Sequence, residues 1–222
     1  MKFPPLNISF IGPPGSGKGS YGQLLAQSLS IKLRTASTIL KEAHLDTSSG
    51  KLLPDKKVSE ILMKNIPQSP FFLDGFPRTI EQVKLMENDW PVPLQINAAI
   101  SLEVPRQVCL QKVLGRRHCA KCNQNWNVAD VKCGEFIMPP LLPKECEKCD
   151  YISGRDHEWN VREDDEADVI GKRLDEFYST ATPVLEYFEA KGRLLRFMPY
   201  RGFDELPRFE STLVKWAKEL LQ

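Results

Sequence analysis

The sequence has no long apolar segment and no excess of charge of one sign. No run approaches the roughly 18 apolar residues that a membrane-spanning helix needs. Lysine and arginine together number 30, and aspartate and glutamate number 29, so the formal net charge is +1. This balance supplies no long-range attraction to nucleic acid or to an anionic membrane, and any anion site depends on the local placement of cations. We therefore expect neither nucleic acid nor a membrane as a partner.

Most of the cysteines lie in two closely spaced pairs. There are six cysteines in 222 residues, and four of them form two Cys-x-x-Cys pairs. This usage indicates metal binding in a reducing compartment rather than a disulfide framework. The N-terminal sequence leads within a few residues into an apolar segment, and we therefore expect no signal or transit peptide in it. We expect a cytoplasmic location, or a mitochondrial or plastid one if a leader has been removed.

Short apolar runs alternate with amphipathic stretches, a pattern typical of a parallel sheet wrapped by helices. Hydrophobic residues make up 41% of the chain, enough for a sizeable core. The predicted strands are residues 7–12, 71–74, 97–102 and 194–198, and the predicted helices are residues 20–30, 164–191 and 204–221. Residues 35–66, polar and helical with a break at 48–50, and residues 117–161, with little helical periodicity, do not fit the alternation. We interpret both segments as insertions.

A glycine-rich loop, residues 12–20 (GPPGSGKGS), lies between the first predicted strand and the helix after it. Glycines allow successive backbone N–H groups to point at phosphates, the helix N-terminus adds partial positive charge, and Lys18 adds a full charge. The G-x-x-x-x-G-K spacing in this context predicts a phosphate-binding loop. One detail departs from the generic motif, because Gly19 separates Lys18 from the hydroxyl of Ser20.

This departure resembles the loop of the adenylate kinase family, in which a glycine after the lysine is usual and Thr or Ser follows it. The segment LDGFPRT at 73–79, together with Gln82, matches the most characteristic segment of that family. GRR at 115–117 resembles the start of the family's lid, and Arg162 and Arg173 match arginines that return from the lid into the core. The resemblance covers nearly the whole chain. Within the family, the sequence is most similar to the plant and algal branch.

The resemblance implies a fold class: a P-loop NTPase α/β fold with three α/β/α layers and a parallel five-stranded sheet, interrupted by two insertions. The core would comprise residues 1–34, 67–116 and 162–222. Residues 35–66 would form an insertion that binds the nucleoside monophosphate, and residues 117–161 a zinc-binding lid. The resemblance also implies a monomer whose partners are small-molecule nucleotides, ATP or GTP together with AMP.

The resemblance further implies reversible transfer of the terminal phosphoryl group of Mg²⁺-bound ATP to AMP, giving two ADP. This chemistry relies on positioning and charge neutralisation, so several cations and a metal ion must converge. The implied catalytic residues are Lys18, Asp74, Arg78, Arg116, Arg162 and Arg173. The implied ATP-binding residues are Gly12, Pro14, Gly15, Ser16, Gly17, Lys18, Gly19, Ser20 and Arg116. The implied AMP-binding residues are Thr35, Leu40, Lys51, Leu53, Gly75, Arg78, Gln82, Arg162 and Arg173.

Four of these residues have distinct expected roles. Lys18 would bridge the β- and γ-phosphates of the donor. Asp74, at the end of a buried strand, would orient water on Mg²⁺, which tends to keep much of its hydration. Arg78 would hold the AMP phosphate, because a planar guanidinium suits a bidentate contact. Gln82 would read the adenine edge with its amide.

The two Cys-x-x-Cys pairs predict a closed tetrahedral zinc site of structural type. The expected ligands are Cys119, Cys122, Cys146 and Cys149. The intervening segment is long, so Cys133 stays open as a substitute ligand. We expect Cys109 in a core helix, and His118 and His157 at the surface. A small lid buries little apolar surface, and a metal would make it a rigid body that closes to exclude water.

Two positions depart from the family pattern. Leu40 stands where the family has an arginine that grips the AMP phosphate, although Lys41 follows it, and Lys112 stands where many members have an arginine that stacks on the donor base. These changes predict weak AMP binding. They also leave alternatives open: a GTP:AMP kinase, a kinase of another monophosphate such as UMP or CMP, or a nucleotide-binding pseudokinase. A zinc-ribbon nucleic-acid module is disfavoured because the composition shows no basic, aromatic surface.

Overall fold

The secondary structure comes from a computed structural model that describes residues 3–44, 53–142, 145–146, 148–149, 151–152, 158–162 and 165–222. The strands are β1 (Asn7–Ile11), β2 (Lys32–Thr35), β3 (Phe71–Asp74), β4 (Ala98–Leu102), β5 (Arg116–Cys119), β6 (Asn125–Asn127), β7 (Val131–Cys133), β8 (Phe136–Met138), β9 (Glu145–Cys146), β10 (Tyr151–Ile152), β11 (Trp159–Asn160) and β12 (Leu194–Phe197). The helices are α1 (Lys18–Ser28), α2 (Ala36–Glu42), α3 (Asp55–Asn65), α4 (Ile80–Asp89), α5 (Arg106–Leu114), α6 (Ala167–Ala190) and α7 (Leu206–Glu219).

A parallel five-stranded sheet forms the centre of the fold, in the order β12-β4-β1-β3-β2. β1, β3 and β4 are buried along their whole length, as expected for parallel strands covered by helices on both faces. Neighbouring side chains of β3 enter opposite layers: Phe71 and Leu73 join one apolar cluster, and Phe72 joins the other. The predicted α/β class with a five-stranded parallel sheet is confirmed.

The two layers of helices are packed by different apolar clusters. The first cluster lies under α2, α3, α4 and α6, and it contains a stacked pair formed by Phe76 and Trp90. The second lies under α1 and α7, where the rings of Phe197 and Phe209 stack with centroids 3.9 Å apart. Because both faces of the sheet are covered, the carboxyl ends of its strands are the edge at which polar groups can gather, as in other open α/β sheets.

β2 is a strand that the sequence analysis did not single out. It lies at the edge of the sheet and pairs only with β3 among the described strands. Lys32 and Arg34 interrupt its apolar character, and Leu33 alone packs against the second cluster. An edge strand tolerates such polar residues because one of its sides is open to solvent. Sequence patterning therefore gave a weak signal here.

The predicted helices are found with shifted ends. α1 begins at Lys18 rather than at residue 20, because Gly17 adopts a left-handed conformation with φ of 87° at the N-cap. α6 and α7 lie within the predicted ranges 164–191 and 204–221. The predicted break at 48–50 lies outside the described residues. No helix in the described part of the chain is both long enough and apolar enough to cross a lipid bilayer.

The segment predicted to form the lid, residues 117–161, contains short strands and no helix among its described residues. β5 is the middle strand of a three-stranded sheet with β11 and β6. The hairpin of β7 and β8 packs on the core instead, since its apolar side chains join a cluster with α5 and α6. The backbone N–H of Ile137 also donates to the carbonyl of Tyr200 over 2.8 Å. Part of the lid is thus attached to the core.

Candidate active site

The glycine loop connects β1 to α1 and lies against α5. Gly15 has φ of +87°, and a Cβ atom there would come within 2.4 Å of the carbonyl oxygen of Cys109. Only glycine fits this approach, and its positive φ is strained for other residues. The hydroxyl of Ser16 is buried and has no hydrogen-bond partner among the described residues. A buried, unpartnered hydroxyl at a helix N-terminus suits an anionic ligand.

Lys18, the first residue of α1, is the centre of a group of charged side chains. Its Nζ lies 3.4 Å from the carbonyl oxygen of Pro13. Burial lowers the pKa of Lys18, the nearby carboxylate of Asp74 raises that pKa, and the guanidinium groups of Arg78 and Arg116 lower it further. The net pKa is below the usual lysine range. Three predicted catalytic residues from other elements therefore converge on Lys18.

Asp74 ends β3 and lies beside Thr35, the last residue of β2. Burial raises the pKa of Asp74 above its usual value, and the cations of Lys18 and Arg78 oppose that rise. Its Oδ1 is buried without a hydrogen-bond partner among the described residues, so this oxygen suits a hydrated cation. Its Oδ2 lies 3.2 Å from where a Cβ of Gly19 would stand. This close approach explains the glycine after the lysine.

Arg78 and Gln82 are held by a small network at the start of α4. The Nε–H of Arg78 donates to the carbonyl of Gly75 over 2.9 Å, and its backbone N–H donates to Oε1 of Gln82 over 2.8 Å. The other end of the Gln82 amide, Nε2, donates to Oδ1 of Asp55 over 2.7 Å. Asp55 also accepts from the hydroxyl of Thr79. The sequence gives no signal for Asp55, because an acidic residue in a first helical turn is ordinary.

The residues expected on the AMP side have mixed environments. Leu40 is only 8% exposed and packs in the first apolar cluster, and Leu53 packs against the same cluster. Lys41 is exposed at the end of α2, and Lys51 lies outside the described residues. The position of the family's phosphate-binding arginine is therefore filled by an apolar core contact. Among the cations on this side that the structure describes, Arg78 is the one that influences the pKa of Lys18.

Two arginines that flank the lid, Arg116 and Arg162, have partners that the sequence did not predict. Nη1 of Arg116 lies 3.3 Å from Oδ1 of Asp165, a carboxylate that is 5% exposed. The Nε–H of Arg162 donates to Nε2 of His118 over 2.9 Å. Arg173 is half-buried on α6. In the sequence, the signal for Asp165 was its place in the run Arg-Glu-Asp-Asp at 162–165. An acidic residue so close to an arginine of the site can pair with a site arginine.

The prediction that His118 lies at the surface is wrong. His118 is 9% exposed, because it belongs to the middle strand of the lid sheet and is opposite Asn160 on one side and Asn125 on the other. Burial lowers the pKa of its imidazole, and the guanidinium of Arg162 lowers that pKa further. The neutral ring can therefore accept the hydrogen bond from Arg162. His157 lies outside the described residues.

Three predicted metal ligands meet in the lid. The Sγ atoms of Cys119, Cys122 and Cys149 all lie within 4.8 Å of one another, and those of Cys119 and Cys149 are 3.4 Å apart. A tetrahedral zinc with Zn–S bonds of about 2.3 Å places its sulfurs about 3.8 Å apart, so this donor set fits zinc. Cys146 lies in β9, and its side chain is outside the described residues.

The ionisation of the Cys119 thiol agrees with a metal site at this cluster. Burial raises the pKa of the Cys119 thiol, but hydrogen bonds from Cys122 and Cys149 outweigh it and lower that pKa to about 6. Zinc binds thiolates, so a lowered pKa favours binding.

The other two described cysteines have different surroundings. Cys133 lies on the hairpin with its Sγ 3.7 Å from Oε1 of Gln107. Cys109 is fully buried in α5, which confirms its predicted place in a core helix.

Comparison with known proteins identifies relatives of this chain. A family model for adenylate kinase matches residues 10–193. The chain is 32% identical to a GTP:AMP phosphotransferase of Plasmodium falciparum (isolate 3D7), with 96% of this chain and 98% of that protein covered. It is 32% identical to an adenylate kinase of Syntrophomonas wolfei, with 90% and 95% covered. It is also 32% identical to a probable chloroplastic adenylate kinase 6 of Oryza sativa, with 88% and 73% covered.

The family model spans most of the chain, including the glycine loop, β3 with the turn after it, and the start of α6. These are the segments that bring Lys18, Asp74 and Arg78 together. Two of the three relatives named above are covered almost completely by this chain. The chain belongs to the adenylate kinase family, whose members are nucleoside monophosphate kinases.

Proposed function

We propose that this kinase transfers the γ-phosphoryl group of ATP to AMP, forming two ADP. The convergence of Asp74, Arg78 and Arg116 on the half-buried Lys18 is the observation that carries the proposal. The γ-phosphoryl group spreads negative charge over its oxygens during transfer, so a site with several fixed cations stabilises the transition state. A simple nucleotide-binding module has no need of a cation set drawn from three separate elements.

Separate groups of residues are assigned to the donor phosphates, to Mg²⁺ and to the transferred phosphoryl group. Lys18 and the glycine loop hold the donor phosphates, with Ser16 and Ser20 supplying hydroxyl groups. Asp74 would hold Mg²⁺ through water ligands, and a bound Mg²⁺ would supply charge neutralisation at the donor phosphates. The guanidinium groups of Arg116, Arg162 and Arg173 neutralise the transferred group when the lid closes.

Gln82 is held in a way that suits recognition of a base. Its Nε2 donates to Asp55 and its Oε1 accepts from Arg78, which fixes the plane and orientation of the amide. An amide has two donor hydrogens and two acceptor lone pairs, so one of each is left for a ligand. A donor beside an acceptor complements the N1 and exocyclic amine of adenine. We therefore assign AMP as the acceptor.

The substrate pair is tested with a coupled assay of AMP, CMP, UMP and GMP, each against Mg·ATP and Mg·GTP. We expect the highest kcat/KM for ATP with AMP. GTP with AMP is the second candidate, because one relative is named a GTP:AMP phosphotransferase and Lys112 stands where many family members have an arginine that stacks on the donor base. No transfer to any monophosphate at millimolar concentration, with zinc and Mg²⁺ present, would leave a nucleotide-binding pseudokinase.

The AMP phosphate is expected to depend mainly on Arg78, because Leu40 supplies no charge. Replacing Arg78 with alanine is expected to raise KM for AMP by about 10- to 100-fold, since one charge-assisted contact contributes ~1.5–3 kcal/mol. KM for ATP should change far less. Steady-state kinetics with each substrate varied in turn measures both constants. Arg208→Ala, an exposed arginine on α7, is the control. Equal increases in both KM values would contradict the assignment.

The lid is proposed to hold one structural zinc ion with Cys119, Cys122, Cys149 and Cys146 as ligands. The three clustered sulfurs support this proposal, and the Cys-x-x-Cys spacing supports Cys146 as the fourth. Four sulfur ligands leave no open position for a substrate, so the ion would order the lid and take no part in phosphoryl transfer. We further propose a monomer, in the cytoplasm or, as the name of the Oryza sativa relative suggests, in a plastid.

A further inference from the structure

His118 connects the cysteine cluster to an arginine of the site. It is followed in β5 by Cys119, whose Sγ belongs to the cluster. Its imidazole is 9% exposed, and Nε2 accepts the Nε–H of Arg162 over 2.9 Å. The two residues are 44 positions apart in the sequence, so this contact depends on the pairing of β5 with β11 just before Arg162.

The atom of Arg162 that His118 contacts has a chemical consequence. A guanidinium is planar and carries its N–H groups in a fixed fork. A hydrogen bond at Nε fixes the plane of the group and the direction of its side chain, and it does not occupy the Nη1 and Nη2 hydrogens. Those are the hydrogens that make bidentate contacts with phosphate.

The acceptor of Arg162 is an imidazole and not a carboxylate, and this difference also matters. Arg116, the neighbouring arginine of the site, is paired with the carboxylate of Asp165 over 3.3 Å. A carboxylate attracts the full charge of its arginine and competes with a phosphate for it. An imidazole accepts one hydrogen bond and leaves the positive charge uncompensated. Arg162 is thereby oriented while its charge is kept for a ligand.

We propose that His118 is a positioning residue that orients the guanidinium of Arg162 toward the transferred phosphoryl group. This inference rests on the proposed kinase function. It also gives the zinc site a second effect, since ordering Cys119 orders the adjacent His118 and, through it, Arg162. Misplacing a group by about 1 Å can cost on the order of 100-fold in rate, so such orientation matters for kcat.

The test compares His118→Gln with His118→Asn, two amides that differ by one methylene. The Oε1 of glutamine can reach the place of Nε2, whereas the Oδ1 of asparagine stops short of it. We expect His118→Asn to lower kcat by about 10- to 100-fold with little change in KM for either nucleotide, and His118→Gln to retain most of the wild-type kcat. Zinc content and melting temperature should be alike in the two variants.

A double-mutant cycle with Arg162→Ala separates positioning from a general structural effect. If His118 acts through Arg162, then His118→Asn has no further effect on kcat once Arg162 is alanine. An equal loss in both backgrounds, or equal kcat for the asparagine and glutamine variants, would overturn the inference. His118→Phe keeps a ring of similar volume but has no acceptor atom. It should therefore behave as His118→Asn does.

A nuclear magnetic resonance measurement distinguishes failure of this inference from failure of the proposed function. The Nε–H resonance of Arg162 should exchange slowly in the zinc-loaded wild type and in His118→Gln, and rapidly in His118→Asn. If the wild type transfers no phosphoryl group but shows this exchange pattern, the kinase proposal is refuted and the contact between His118 and Arg162 is supported. An active wild type without a protected Nε–H would refute the positioning role.

Discussion

Replacing Lys18 with alanine is expected to lower kcat by about 100- to 1,000-fold, as the loss of one preorganised transition-state contact typically does. That range corresponds to a barrier increase of about 2.7–4 kcal/mol. The reason lies in the surroundings of Lys18: it shares its site with the guanidinium groups of Arg78 and Arg116 and with the carboxylate of Asp74. A cation held against like charges is placed for an anionic ligand and contributes little to folding.

The melting temperature of Lys18→Ala should therefore not fall. Removal of the ammonium loses its attraction to Asp74 and relieves both burial and its repulsion from Arg78 and Arg116, and these changes oppose each other. Single-turnover kinetics and thermal unfolding of the same preparation measure the two effects. Lys215→Ala, an exposed lysine on α7, is the matched control. A Lys18→Ala enzyme that keeps more than about a tenth of the wild-type kcat would show that the loop is wrongly assigned.

Zinc removal is expected to have the second large effect, on stability. Structural zinc binds small peptides with free energies on the order of ten kcal/mol, and the described lid residues around the cysteines form only a small apolar cluster that could replace it. Among the described lid residues near the cluster, Trp126 and Trp159 are the side chains packed against the cysteines. Elemental analysis of a chelator-free preparation should find one zinc ion per chain, and stripping it should lower the melting temperature.

Cysteine variants show which thiols hold the ion. Cys146→Ser should lose zinc and reproduce the lowered melting temperature, because it removes the proposed fourth ligand. Cys133→Ser is the control, since Cys133 lies on the hairpin beside Gln107 and should leave the zinc content unchanged. A zinc-free wild type would refute the metal site. Loss of zinc in Cys133→Ser but not in Cys146→Ser would show that Cys133 is the fourth ligand in place of Cys146.

Local sequence was sufficient for the parts of the site whose chemistry is local. The glycine loop was predictable because a positive φ at Gly15 and the charge of Lys18 are needed at fixed offsets between a strand and a helix. The cysteine pairs were predictable because two thiols three positions apart can bind one ion. The parallel sheet was predictable from β1, β3 and β4, whose residues are mostly apolar and are buried along the whole length of each strand.

Only the tertiary structure decided the features that depend on partners distant in sequence. Gln82 and Asp55 are 27 positions apart, and His118 and Arg162 are 44 apart. A polar residue of this kind looks like a surface residue in the sequence, because its partner cannot be known before the chain folds. The burial of Leu40 is a similar case, since its helix alone does not show which neighbours cover it.

The sequence by itself thus determined the family and predicted most of the sheet, the cation set and the cysteine cluster, because each of these depends on short motifs or local patterns. The tertiary structure decided how those groups are oriented. It placed a carboxylate against Arg116, a neutral imidazole against Arg162, and a hairpin of the lid against α5 and α6. Orientation requires contacts from separate elements, and those contacts exist only when packing has brought the elements together.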